Sequence, residues 1–179
     1  MKTQILSSLA LAFLCVLSFS CSTSINAVVD HSKFAHPYSA PLAVLPYQAG
    51  PLQPLSEKLG NVLSKLVATD NKKMDLLLLE RHEQELKLNS HDDVNEKIND
   101  AVKINQNDVV LFFKPTRLEM GNGGFSDIKY LVTAIDAGTG NEVWKAEFHW
   151  SGGSFAGPGV IAESICKSLY GRLEGDGVL

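Results

Sequence analysis

"IDAGTGNEVWKAEF" (residues 135–148) decides how this chain folds. A polar, glycine-bearing turn sits between two runs of alternating apolar and polar residues, which is the signature of a β-hairpin. In the run after the turn, "EVWKAEFHW" (142–150), Trp144, Ala146, Phe148 and Trp150 face one way. Val143, Lys145, Glu147 and His149 face the other, because successive strand residues point to opposite faces. The aromatic row has two readings. It is a core face under the last helix, or it is an interface or membrane contact, where tryptophan is favoured for having one apolar and one wet end. Trp150, at the strand's end beside "GGSFAGPG" (152–159), is the stronger candidate for contact, with Trp144 and Phe148 beside it.

Working outward, the run "SDIKYLVTAID" (126–136) pairs with "TRLEM" (116–120) around the loop tip "MGNGGF", so Asn122 and Gly123 stand at a second exposed turn. "DVVLFFKP" (108–115) reads as a strand stopped by Pro115. "PLAVLPY" (41–47) and "MDLLLLE" (74–80) are short, continuously apolar runs that suit strands covered on both faces. Between them, Leu52, Leu55, Leu59, Leu63, Leu66 and Val67 recur at helical spacing. Ser90 with Asp93 three residues on gives a capping-box-like start to a second helix, with Val94, Ile98, Ala101, Val102 and Asn105 as its inner face. A third helix, 160–173, buries Ile161, Ala162, Ile165, Leu169 and Leu173. The expected order is β-α-β-α-β-β-β-α, an α/β (α+β) fold with a mixed five-stranded sheet and three helices. Its first strands are joined by parallel crossovers and its last three form a meander.

The chain has 179 residues, enough for one domain with tails. Its hydrophobic content of 45% supports a real core, and a net charge of −4 gives no electrostatic reason to bind nucleic acid. Residues 1–20 read separately: Lys2, then the apolar run "ILSSLALAFLCVLSF" (5–19), has the order of a secretory signal peptide and is short for a membrane span. It ends in "LSFSC" (17–21), which is similar to the lipobox of bacterial lipoproteins, where the cysteine becomes the first mature residue and carries the lipid. Ser18 stands where that box usually has leucine, and Phe19 is bulkier than typical. Ordinary cleavage after Ser20 or Ala27, giving a soluble periplasmic or secreted protein, is the alternative. Residues 21–40 read as a tether and 41–179 as a single α/β domain. Of the three cysteines, Cys15 leaves with the signal, Cys21 is the lipid site, and Cys166 is a small buried hydrophobe. A Cys21–Cys166 disulfide is the alternative if no lipid is added.

Catalytic motifs are missing. "RHEQELKLNSH" (81–91) fails as a metalloprotease helix because Leu86 stands where the second histidine must be. "GNGG" (121–124) has no Gly-Lys-Ser/Thr ending, and no Gly-x-Ser-x-Gly elbow occurs. The chain is therefore read as a non-enzyme that needs no cofactor and no metal.

Four features taken together resemble one family of small bacterial outer-membrane lipoproteins. They are "LSFSC", the strand "AVLPY" (43–47), the leucine-spaced helix, and the hairpin carrying Asp136, Thr139, Gly140 and Trp144 before a final helix. The family includes the curli-secretion channel lipoprotein, the Pel polysaccharide-secretion lipoprotein and the lipoprotein activator of penicillin-binding proteins. The resemblance covers about residues 41–175. Departures are Tyr47 in place of phenylalanine, and Asn107–Asp108 where the family often has alanine–aspartate. No long amphipathic insertion is present to build a barrel. The resemblance implies a periplasm-facing accessory or scaffold of a secretion, export or cell-wall assembly, lipid-anchored at Cys21. Ser22 resembles an outer-membrane sorting residue. The implied partners are the membrane, other copies of the chain, or an unnamed envelope protein. The alternative function is a soluble periplasmic ligand- or glycan-binding module that stacks its ligand on an exposed aromatic strand face.

Overall fold

The computed structural model describes residues 22–29, 37–47, 50–80, 90–121, 124–152 and 156–179, excepting the side chains of residues 28, 29, 80 and 90–94. Its strands are β1 (Ser22–Val29), β2 (Pro41–Tyr47), β3 (Asp75–Glu80), β4 (Val109–Gly121), β5 (Gly124–Asp136) and β6 (Glu142–Ser151). Its helices are α1 (Leu52–Thr69), α2 (Ser90–Asn105) and α3 (Pro158–Gly175). The strands form one mixed sheet in the order β1-β6-β5-β4-β2-β3. β2 lies parallel to both β3 and β4, and the remaining pairs are antiparallel.

The expected fold class stands, with one correction: six strands rather than five. Ser22–Val29, read from the sequence as tether, pairs antiparallel with β6 from Ser22↔Ser151 to Val29↔Trp144. The reason is local. Ile25 and Ala27 are two residues apart on one face and pack against the main core, while Ser24 and Asn26 point away and are exposed.

One face of the sheet is covered by α1 and α3, which pack on each other as well as on the strands. Ala43, Leu45, Leu111, Phe113, Ile128, Tyr130 and Val132 meet the leucine stripe of α1 and the Ile161, Ile165 and Leu169 side of α3. The opposite face is covered only in part. There α2 brings Ile98, Ala101 and Val102 over Leu42, Val44 and Val110. Asn105, expected on that inner face, is exposed instead. The β2 run is continuously apolar because both of its faces are covered, whereas β3 is covered only in part and leaves Leu76 exposed.

Two strand details depart from strict alternation. β4 continues past Pro115, and its register slips between Pro115 and Arg117. A bulge absorbs the missing N–H, so the proline bends the ladder rather than ending it. In β6 the register slips opposite Ala134 and Ile135, which leaves Val143 as the extra residue and turns it into the same core as Trp144. The third helix begins at Pro158, where proline at the first turn loses no intrahelical bond.

Truncating Phe148 to alanine is expected to destabilise the fold by about 3–5 kcal/mol. Trp144→Phe, which removes the hydrogen bond to Asp176 and leaves a cavity where the larger indole packed, is expected to cost about 2–3 kcal/mol. Urea unfolding midpoints of the two variants check this; a Phe148→Ala protein as stable as wild type would contradict a closed core at that position.

Candidate functional site

The aromatic row lies inside. Trp144 is 1% exposed, and Phe148 and Trp150 are 0% exposed. The Trp144 indole N–H donates to Asp176 Oδ2 at 2.8 Å, which ties the end of α3 to the start of β6. This corrects the contact reading of Trp150, Trp144 and Phe148: α3 closes over the strand, and no ring remains for a ligand or a membrane. Trp150 packs in the core, and among the described residues its buried Nε1 has no hydrogen-bond partner. A glycan-stacking face on this strand is thereby removed.

Cys21, Asn122 and Gly123 lie outside the described residues. So do three of the five histidines, His31, His36 and His82, together with Glu83, while His91 lies in α2 with its side chain outside the described set. Their neighbours are informative. Ser22 opens β1, and its Oγ is 3.0 Å from Ser151 Oγ. Gly121 pairs with Gly124, so Asn122 and Gly123 join the ends of the two longest strands. Cys166 is a free, buried thiol whose Sγ–H donates to the Leu59 carbonyl, and burial pushes its pKa up to about 12. It behaves as the packing residue expected of it.

The structure gathers other residues at the end of the sheet where β1 begins. One hydrogen-bonded row crosses four strands, from Glu119 through Asp127 and Ser151 to Ser22. The row behind it holds Arg117, Lys129, His149 and Ser24. His149 Nε2 lies 2.6 Å from Asp127 Oδ2, and Arg117 Nε lies 3.4 Å from Asp127 Oδ1. Arg117 also reaches Glu119 at 2.6 Å, and that hydrogen bond raises the pKa of the exposed guanidinium. Lys129 and Glu147 are 4.0 Å apart. The cluster is a cross-strand lattice of both signs, the sheet counterpart of paired charges on a helix. Among the described residues, no group of three or more His, Cys, Asp or Glu could hold a metal ion. His149 and Asp127 lie 22 positions apart in the sequence. Neither spacing nor composition signals their pairing, because it depends on the β5–β6 register.

The opposite end of the sheet is pinned by carboxylates. Asp136 Oδ1 accepts from the Thr139 amide at 2.6 Å and from the Thr139 hydroxyl at 2.8 Å. Gly140 takes a left-handed φ of 71° that suits glycine. The second oxygen of Asp136 accepts from the Tyr38 hydroxyl at 2.8 Å. Asp108 accepts from the Ser39 and Ala40 amides at 2.7 and 3.0 Å, fixing the start of β2. Asn107, 6% exposed, donates to the Ala40 carbonyl at 3.1 Å and to Asp75 at 3.0 Å. The Asn107–Asp108 departure noted in the sequence is thus a clamp across β2, β3 and β4. These are scaffold contacts that join β2, β3, β4 and the β5–β6 turn.

Among the described residues, two strands have an edge without a neighbour: β1 on one side and β3 on the other. Edges of this kind present backbone donors and acceptors to a partner strand. No helix among the described residues is long and apolar enough to cross a membrane.

No family model matches the chain, and no curated protein matches it. Solved structures do. The PelC dodecamer from Paraburkholderia phytofirmans aligns at a TM-score of 0.53 and 15% identity, covering 88% of this chain and 99% of that one. A variant of that dodecamer in a second crystal form aligns at 0.53 and 14%, covering 90% and 99%. Lipoprotein GNA1162 from Neisseria meningitidis aligns at 0.40 and 13%, covering 76% and 99%. At these identities, what the chain shares with PelC is the fold.

Burial alone would raise the Asp136 pKa, but the hydrogen bonds from Thr139 and Tyr38 outweigh it and hold the carboxyl below its usual range. A depressed folded-state pKa contributes stability that is full above the unfolded value of about 3.9 and is lost as pH falls through the folded value. Asp136→Asn is therefore expected to be less stable than wild type at neutral pH and to lose less stability on acidification below pH ~4. Urea midpoints across that range check it; parallel pH profiles would contradict it.

Proposed function

We propose that this chain is a non-enzymatic lipoprotein of the bacterial outer membrane. It faces the periplasm and serves as an accessory or scaffold of an envelope secretion or export assembly. The observation that carries the reading is the likeness to PelC, which spans nearly the whole of that chain and was crystallised as a dodecamer. The sequence supplies independent support, since "LSFSC" ends in a lipobox-like Cys21 and the hairpin carries the Asp136, Thr139, Gly140 and Trp144 pattern.

In this reading Cys21 carries the lipid and Ser22 directs the protein to the outer membrane. One acyl chain binds a bilayer marginally, whereas two or three make attachment stable. The domain acts by protein–protein contact, with copies of itself or with an envelope partner. The protein contact surfaces are the edges of β1 and β3, which have no neighbour strand among the described residues, and the β4–β5 turn at Asn122 and Gly123 is an interface or membrane contact.

Intact mass of the membrane-extracted protein, beside a Cys21→Ala variant, tests the anchor. A mass of residues 21–179 plus acyl chains, absent from the variant, is expected. An unmodified mature mass overturns it. Crosslinking in intact envelopes tests the scaffold role: an oligomer ladder or one recurrent partner is expected, and a monodisperse monomer without a partner overturns it.

A further inference from the structure

Five large hydrophobic side chains are exposed among the described residues, and three of them sit at one end of the molecule. Leu118 is 38% exposed, Met120 53% and Val160 59%. Backbone pairing places the first two. Leu118 pairs with Ile128, Ile128 with Trp150, and Trp150 with Thr23, so Leu118 shares a row with the start of β1. Met120 pairs with Phe125, beyond the row that ends in Ser22. Val160 belongs to the same end for a separate reason. Asp176 at the far end of α3 bonds Trp144 at the start of β6, so α3 runs back along the strand. Thr23 Oγ1 lies 2.6 Å from Ser164 Oγ, and Val160 is one turn earlier in α3.

The chain that precedes the described residues arrives at this same end. Ser22 is held in the sheet by its pairing with Ser151. Cys21 is its covalent neighbour, about 3.8 Å away by Cα. With β1 in the sheet, no slack lies between the cysteine and the domain. Two described residues of β4, Met120 and Gly121, pass the Ser22 row, a reach of about 7 Å at ~3.3 Å per residue. Apolar surfaces that lie in a membrane interface are buried to about 5–10 Å. The hairpin thus reaches the level at which acyl chains on Cys21 would leave the protein.

We infer that the Ser22 end of the sheet, with Leu118, Met120 and Val160 as its apolar rim, rests on the lipid bilayer in which Cys21 is anchored. The inference depends on the lipid-anchor reading and deepens it by giving the domain a fixed orientation. The neighbouring charges are Arg117, Lys129, Asp127 and Glu119, two of each sign. The contact therefore draws on apolar burial and not on net charge, and it should persist at high salt.

The test uses the full chain, extracted from membranes and reconstituted into vesicles of phosphatidylethanolamine and phosphatidylglycerol. An environment-sensitive fluorophore is attached at Met120→Cys, or at Asn141→Cys in the turn at the opposite end of the sheet. Cys166 is fully buried and does not compete for label. The expected result is flotation of both proteins with the vesicles, with a blue shift at position 120 that lipid-borne nitroxides quench and no shift at position 141. Flotation without a shift at position 120 overturns the docked end and leaves the anchor standing. A blue shift that lipid-borne quenchers do not reach assigns the rim to a second copy of the chain and also overturns it. Failure to float overturns the anchor and the docking together.

Discussion

The carboxylate of Asp136 is the point on which the far end of the sheet depends. One oxygen closes the β5–β6 turn through both donors of Thr139, and the other holds the Tyr38 hydroxyl. The Tyr38 backbone amide in turn donates to the Val178 carbonyl at 2.9 Å, next to the chain's last residue. A single side chain therefore joins the hairpin, the segment leading into β2 and the C-terminal tail. The Asp-x-x-Thr-Gly spacing carries this role: aspartate accepts, threonine donates twice, and glycine supplies the left-handed residue that lets the chain turn back. Trp144, three residues beyond the turn, extends the same lock by bonding Asp176 after α3.

Much of the architecture is legible in the sequence because period and burial agree. The leucines of α1 and the Ile161 to Leu173 stripe of α3 are buried as their spacing implies. So are Trp144, Ala146, Phe148 and Trp150, on the face that alternation assigns them. Bulges escape such reading. Val143 changes face, and β4 survives Pro115, because one extra residue alters register without altering composition. The first strand was obscured for another reason. "STSINAVV" alternates, but its apolar residues are few and small, and a strand of that kind is visible only against the β6 edge it completes.

The candidate site was less legible than the fold. An aromatic at a strand's end next to glycines has the chemistry of a contact residue, and only the position of α3 shows that Trp150 is enclosed. Conversely, Leu118, Met120 and Val160 are unremarkable as isolated residues. Their meaning comes from strand pairing and helix direction, which bring three distant positions to the end where Ser22 enters the sheet. The sheet is also asymmetric: two helices close one face, whereas α2 covers only the β2 side of the other. Among the described residues, β5, β6 and β1 therefore keep an outer face that carries Lys129, Lys145 and Glu147, and β1 keeps an edge without a neighbour strand.

The pairing of β1 with β6 joins residues 129 positions apart, nearly the length of the folded chain. Closing so long a loop carries an entropic cost that only a finished β6 can repay with hydrogen bonds and the burial of Ile25 and Ala27. Contacts of such sequence separation form late, since local helices and hairpins assemble faster. The first strand in sequence is thus the last to join the sheet. Until β6 is in place, Ser22–Val29 has no partner strand, and its pairing with Glu142–Ser151 then withdraws its backbone from proteases.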